Sequence, residues 1–203
     1  MLAAMKRKTA TVLGLCAVSA IVAAFVAQSS IPWVRADAVS DAETALGYEA
    51  TVPPRPLGEI AFTDADGAPL TLADKRGKLV LLNLWATWCP PCVREMPSLD
   101  RLEVALGGTD FEVVALSVDR SGAAVVLPFL EKLGVGALEI YLDTSSRVLR
   151  TLGINGLPTT ILIDRDGSEV GRVVGPAEWD SDEAVALIRH YLVNPATTTA
   201  GAE

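Results

Sequence analysis

Two cysteines, Cys89 and Cys92, lie between an apolar run and an amphipathic segment, and this arrangement limits the folds open to the chain. The apolar run, residues 79–84, is typical of a strand buried on both faces of a sheet. Pro91 suits the first turn of a helix, where its missing N–H loses no bond. Apolar residues then recur at helical spacing: Cys92, Met96, Leu99, Leu102 and Leu106. The pattern predicts a strand–turn–helix unit with Cys92 on the buried face and Cys89 at the helix N-terminus.

This position favours Cys89 as a nucleophile. A helix N-terminus lowers the pKa of a cysteine, and the thiolate is the form that attacks a disulfide. Cys92, three residues later, can resolve the mixed disulfide. Neither Pro90 nor Pro91 has an N–H group, so two donors that could stabilise the thiolate are missing. We therefore expect a couple near the reducing end of the known range, which runs from about −270 to about −120 mV.

The N-terminus predicts a membrane anchor. Lys6, Arg7 and Lys8 precede residues 10–27, which carry no charge. As a helix, that run would be roughly 27 Å long, about enough to cross a bilayer core. The basic cluster places residues 1–9 in the cytoplasm and the rest of the chain outside it. A cleaved signal peptide is the alternative, but the run is longer than usual for one, and we favour a retained anchor.

Composition divides the remaining chain into three parts. Residues 28–56 show no apolar period and end in Pro-Pro-Arg-Pro, which predicts a flexible linker. Residues 57–194 have the length of one domain. Residues 195–203 lack core-forming side chains and are expected to be disordered. The net charge of −8 makes nucleic acid an unfavourable partner.

The domain alternates predicted strands and helices, which indicates an α/β fold. Turn signals at Asp66-Gly67 and Asp166-Gly167 predict two β-hairpins, the first near the start of the domain. Pro97 inside the first helix predicts a kink there, and Pro128 an early interruption in the next one. Further strands are expected at 111–117 and 139–142, and helices at 123–133, 146–152 and from residue 180 or 181.

These elements together resemble the thioredoxin fold, a central mixed sheet flanked by helices, here with an extra N-terminal hairpin. The run Trp-Ala-Thr-Trp-Cys-Pro-Pro-Cys-Val-Arg-Glu-Met-Pro, residues 85–97, resembles the membrane-anchored periplasmic branch of that fold, the TlpA/ResA-type thiol-disulfide oxidoreductases. The resemblance covers residues 57–192 and the anchor. It implies a single-pass protein of the bacterial inner membrane with its catalytic domain in the periplasm.

The resemblance also implies roles for individual residues. Cys89 would attack, Cys92 would resolve by closing the Cys89–Cys92 disulfide, Pro158 would be a cis proline facing the pair, and Glu95 would be the acidic residue that influences the thiols. We expect Trp85 to pack under the site. The residues expected to contact substrate are Trp88, Pro90, Leu157 and Pro158.

Asn83 marks a departure from thioredoxin itself, which has a buried aspartate at this point. An amide does not accept a proton at neutral pH, so any base for Cys92 should be Glu95 or water. Glu95 lies one helical turn after Cys92, within reach of it. The alternatives are that Glu95 is solvated or pairs with an arginine, and that Asn83 is simply a hydrogen-bonded buried amide.

Partners follow from the resemblance, which implies a membrane thiol electron donor and disulfide-bearing substrates such as apocytochromes c or copper-centre assembly proteins. We expect no cofactor and no metal. A copper-delivery module of the SCO type is an alternative, but it would need a wider cysteine spacing and a nearby histidine, whereas the only histidine is His190. A peroxiredoxin-type peroxidase would need Thr-x-x-Cys, and Thr87 is one residue too close to Cys89. A zinc half-site and a purely structural disulfide are further alternatives.

Overall fold

The computed structural model describes residues 33–195. The expected anchor at residues 10–27 lies outside this range, as do the cytoplasmic segment 1–9 and the tail from residue 196. Among the described residues, no helix combines the length and apolar character needed to cross a membrane.

An eight-stranded mixed sheet forms the centre of the fold, with strand order β1-β8-β7-β4-β5-β6-β2-β3. The strands are β1 (Tyr48–Pro56), β2 (Ala61–Asp64), β3 (Pro69–Thr71), β4 (Leu79–Trp85), β5 (Phe111–Ser117), β6 (Ile140–Leu142), β7 (Thr159–Ile163) and β8 (Ser168–Val174). The helices are α1 (Trp33–Leu46), α2 (Pro90–Leu106), α3 (Ala123–Leu133), α4 (Arg147–Leu152) and α5 (Asp182–Val193). The expected α/β architecture and both hairpins, β2–β3 and β7–β8, are confirmed.

Strand β4 lies in the middle of the sheet and carries the active-site segment at its end. It pairs in parallel with β5 and antiparallel with β7. Its side chains alternate between two apolar clusters: Leu81 and Trp85 belong to one, Leu82 and Leu84 to the other. Because β4 is buried on both faces, its sequence is almost uninterruptedly apolar.

The expected flexible linker is wrong for residues 33–56, which form α1 and β1. Strand β1 pairs antiparallel with β8 along the sheet edge. Tyr48 is buried there, and its hydroxyl donates a hydrogen bond to the Val170 carbonyl at 2.9 Å. A Cβ at Gly171 would lie 2.2 Å from the Tyr48 ring, so glycine is required at that position. The folded unit therefore begins well before Leu57.

Two prolines lie inside helices without ending them. Helix α2 continues past Pro97 to Leu106, and α3 contains Pro128 as part of one continuous helix. The early interruption expected at Pro128 is therefore wrong. Pro128 is the sixth residue of α3, so only a short stretch of helix precedes it.

Candidate active site

Cys89 and Cys92 form a disulfide at the start of α2, with their Cα atoms 5.3 Å apart. Cys89 is the N-cap residue, and Pro90 and Pro91 take the first two helical positions. The first backbone N–H that reaches the Cys89 sulfur is that of Cys92, at 3.4 Å. Cys92 is 0% exposed and Cys89 is 5% exposed. Cys89 is thus the more accessible of the two cysteines.

Asp119 holds the loop that leads from β4 to Cys89. This buried carboxylate, two residues after β5, accepts hydrogen bonds from the Thr87 backbone N–H at 2.9 Å and the Thr87 hydroxyl at 2.7 Å. It also accepts one from the Ser117 hydroxyl at 2.8 Å. Asp119 was not among the residues predicted from the sequence. The available signal was its position, since β4 and β5 are parallel and their carboxyl ends meet at one edge.

An apolar groove of about 470 Å³ runs beside Cys89. Trp88 on its rim is 66% exposed, whereas Trp85 is 1% exposed and packed in the core. The groove is lined by Trp88, Cys89, Pro90, Pro91, Leu149, Ile154, Asn155, Gly156 and Leu157. The structure therefore brings Trp88, Pro90 and Leu157 together. Leu149 and Ile154 were not among the residues predicted from the sequence.

Pro158 follows a cis peptide bond from Leu157 and is buried. The cis bond agrees with the expectation. The Pro158 carbonyl accepts a hydrogen bond from the Gly175 N–H at 3.0 Å. This carbonyl is thus already engaged within the fold, and the groove is bordered on this side by Leu157.

Glu95 is buried one turn into α2, at 1% exposure. Its Oε1 accepts a hydrogen bond from Asn83 Nδ2 at 2.8 Å, and its Oε2 accepts bonds from the Ala177 N–H at 3.1 Å and the Trp179 indole N–H at 3.3 Å. The alternative that Glu95 is a solvated helix residue is therefore wrong. The alternative that Glu95 pairs with an arginine does not hold for Arg101, which instead forms an ion pair with Asp180 at 2.6 Å.

Burial raises the pKa of Glu95 to about 7, against the opposing effect of its three N–H donors. Near neutral pH the carboxyl group therefore exists in both protonation states. A general base works best when its pKa is close to the working pH. Glu95 thus has the proton affinity needed to accept and return a thiol proton.

Asn83 is fully buried on β4 and serves as a hydrogen-bond donor. Its amide nitrogen donates to Glu95 and, at 2.9 Å, to the Thr160 hydroxyl. This confirms the interpretation of Asn83 as a hydrogen-bonded buried amide. It also links β4 and β7 to the carboxylate on α2.

The chain is similar to a known protein family and to proteins of known name. A family model described as Redoxin matches residues 51–188. The thiol-disulfide oxidoreductase ResA of Bacillus thuringiensis is 36% identical over 113 residues, which cover 56% of this chain and 64% of that protein. ResA of Geobacillus kaustophilus is 36% identical over 132 residues, covering 65% of this chain and 71% of that protein.

A solved structure shows the same fold. The crystal structure of a thiol:disulfide interchange protein of the thioredoxin family from Chlorobium tepidum superposes with a TM-score of 0.57 at 26% sequence identity. The superposition covers 70% of this chain and 99% of that one. The thioredoxin-like fold is thereby confirmed.

Proposed function

The chain belongs to the Redoxin family, and from this premise we propose that it is a protein thiol-disulfide oxidoreductase that reduces disulfides through Cys89 and Cys92. One observation carries the proposal. The two cysteines form a disulfide at a helix N-terminus, with one sulfur fully buried and the other beside an apolar groove. That arrangement separates an attacking thiol from a resolving thiol.

The reaction proceeds in two exchanges. In the reduced protein, the Cys89 thiolate attacks one sulfur of a substrate disulfide, and the other substrate sulfur leaves as a thiolate that takes a proton from water. Cys92 then loses its proton to the Glu95 carboxylate and attacks the Cys89 sulfur. The mixed disulfide breaks, the second substrate sulfur leaves as a thiolate that takes a proton from water, and the Cys89–Cys92 bond forms. Two electrons have passed to the substrate.

The groove supplies a place for the substrate chain. Leu149, Ile154 and Leu157 give it an apolar wall, and Trp88 offers an exposed aromatic face beside the reactive sulfur. Such a site suits an extended segment with an apolar side chain next to its cysteine. Pro90 also lines the groove, next to Cys89.

The cellular setting is part of the proposal and is supported by the N-terminal sequence. Lys6, Arg7 and Lys8 followed by the uncharged residues 10–27 fit a retained anchor in the bacterial inner membrane, with the domain in the periplasm. An oxidising compartment does not reduce the bridge again, so a membrane thiol donor is needed. The proposed substrates are apocytochromes c or copper-centre assembly proteins.

Replacing Cys92 with serine is expected to trap the mixed disulfide between Cys89 and its substrate, since no second thiol can release it. The measurement is non-reducing electrophoresis of extracellular or periplasmic extracts exposed to the reduced variant, with mass spectrometry of the bands that dithiothreitol removes. A variant with serine at both positions is the matched control. Equal banding in the variant and this control would contradict the proposal.

A further inference from the structure

The Glu95 carboxylate is held from two sides by different parts of the chain. Asn83 on β4 donates to Oε1, whereas the loop between β8 and α5 donates to Oε2 through the Ala177 backbone and the Trp179 indole. The loop donors lie 82 and 84 residues from Glu95 in sequence. The hydrogen bonds to Oε2 thus come only from residues that are distant in sequence and are brought to Glu95 by the tertiary fold.

Trp179, on the loop between β8 and α5, is held against the turn of α2 that contains Glu95. It is 1% exposed, and its backbone N–H donates to the Ser98 hydroxyl at 3.1 Å. That hydroxyl in turn donates to the backbone carbonyl of Glu95 at 2.8 Å. Packing and this hydrogen bond already fix the indole toward Oε2, so no further side-chain entropy is lost when it donates. The indole N–H is therefore a preorganised donor.

A second buried tryptophan provides a comparison. Trp85 is also 1% exposed, but its indole nitrogen has no hydrogen-bond partner among the described residues. Both rings fill core space, and only that of Trp179 contacts the carboxylate through a hydrogen bond. The hydrogen bond from Trp179 to Glu95 can thus be distinguished from the packing that both tryptophan rings provide.

Burial and one neighbouring carboxylate would otherwise favour the neutral form of Glu95. Burial disfavours the carboxylate, and Glu178 on the same loop adds a negative charge that acts in the same direction. Arg94 of α2 and Glu183 of α5 line, with Glu95 and Glu178, a cleft of about 390 Å³. Asn83, from β4, is uncharged. The N–H donors are what oppose protonation, and a protonated Glu95 has no capacity to take the Cys92 proton.

We propose that Trp179 is a positioning residue for the resolving step: its indole N–H, together with the Ala177 amide, holds Glu95 as a carboxylate that can receive the proton of Cys92. The effect on resolution by Cys92 rests on the proposed function. The hydrogen bond from Trp179 to Glu95, however, is present in the disulfide form and can be tested without a substrate. Loss of the donor should shift the protonation midpoint of Glu95 upward, and with it the pH profile of resolution.

The test is a carboxyl-carbon NMR titration of Glu95 in the oxidised full chain, comparing wild type with Trp179→Phe and Trp85→Phe. Trp179→Phe keeps an aromatic ring and removes a donor to a charged group, so the midpoint should rise by about one to two pH units. Trp85→Phe should leave the midpoint unchanged. The pH profile of disulfide reduction should move with the Glu95 midpoint in Trp179→Phe.

A second measurement needs no variant. In the wild-type chain, the indole nitrogen and proton shifts of Trp179 should titrate with the Glu95 midpoint, while those of Trp85 stay flat. An unmoved Glu95 midpoint in Trp179→Phe, an equal shift in Trp85→Phe, or a flat Trp179 indole signal would overturn the inference. These titrations use no substrate, so a failure to reduce any disulfide would overturn the proposed function instead.

Discussion

Replacing Cys89 with serine is expected to abolish protein disulfide reduction, lowering the rate roughly 10³-fold or more. A serine hydroxyl stays protonated at neutral pH, so the helix N-terminus has no anionic nucleophile to stabilise. Cys92 does not replace it, because this sulfur is 0% exposed. The measurement is insulin reduction driven by dithiothreitol, followed by turbidity.

The control for that result is the circular dichroism spectrum of each variant, because both Cys89→Ser and Cys92→Ser lose the disulfide. If both retain the wild-type spectrum, loss of catalysis in Cys89→Ser reflects chemistry and not folding. A Cys89→Ser protein that keeps more than about a tenth of the wild-type rate would contradict the role of Cys89 as the attacking thiol.

Removing α1 and β1 together is expected to cost about 3 to 5 kcal/mol of unfolding free energy. A chain covering residues 57–195 loses the buried Tyr48 side chain, its hydrogen bond to Val170 and the pairing of β1 with β8. It also loses the ion pair between Arg55 and the buried Glu169. The measurement is urea unfolding of residues 33–195 against residues 57–195.

A substitution on the same strand gives the control. Val52 is 88% exposed, so Val52→Ala should change the unfolding free energy by no more than about 0.5 kcal/mol. Equal urea midpoints for the long and short chains would mean that residues 33–56 contribute nothing to the fold and behave as the linker that their composition suggests.

Local patterns in the sequence were sufficient to predict the centre of the site. The apolar run of β4, the prolines after Cys89 and the helical spacing of α2 each act over a few residues, so strand, turn and helix were predictable together. The position of Glu95 one helical turn after Cys92 was predicted for the same reason, and Glu95 lies buried on α2. Strand β1 was not predictable, because Pro53, Pro54 and Pro56 are unusual in a strand. An edge strand tolerates proline, but the sequence does not show that this segment lies at an edge.

The outer part of the site depends on contacts between distant residues. Asp119 lies 32 positions from Thr87, and Trp179 lies 84 positions from Glu95. Their contacts depend on the order of strands in the sheet and on the path of the loop after β8. Neither can be read from the spacing of apolar residues in a single sequence. The groove residues Leu149 and Ile154 were missed for the same reason, since apolar character alone does not distinguish a groove wall from the core.

The most direct test of the account is the reduction potential of the Cys89–Cys92 couple in the full chain, titrated against dithiothreitol ratios with tryptophan fluorescence as the readout. Pro90 and Pro91 leave the Cys92 N–H as the first backbone donor to the Cys89 sulfur, which limits stabilisation of the thiolate. We expect a value near or below about −230 mV, in the range of a reductase. A value near about −120 mV would rule out a reductase and make the protein an oxidant that forms disulfides.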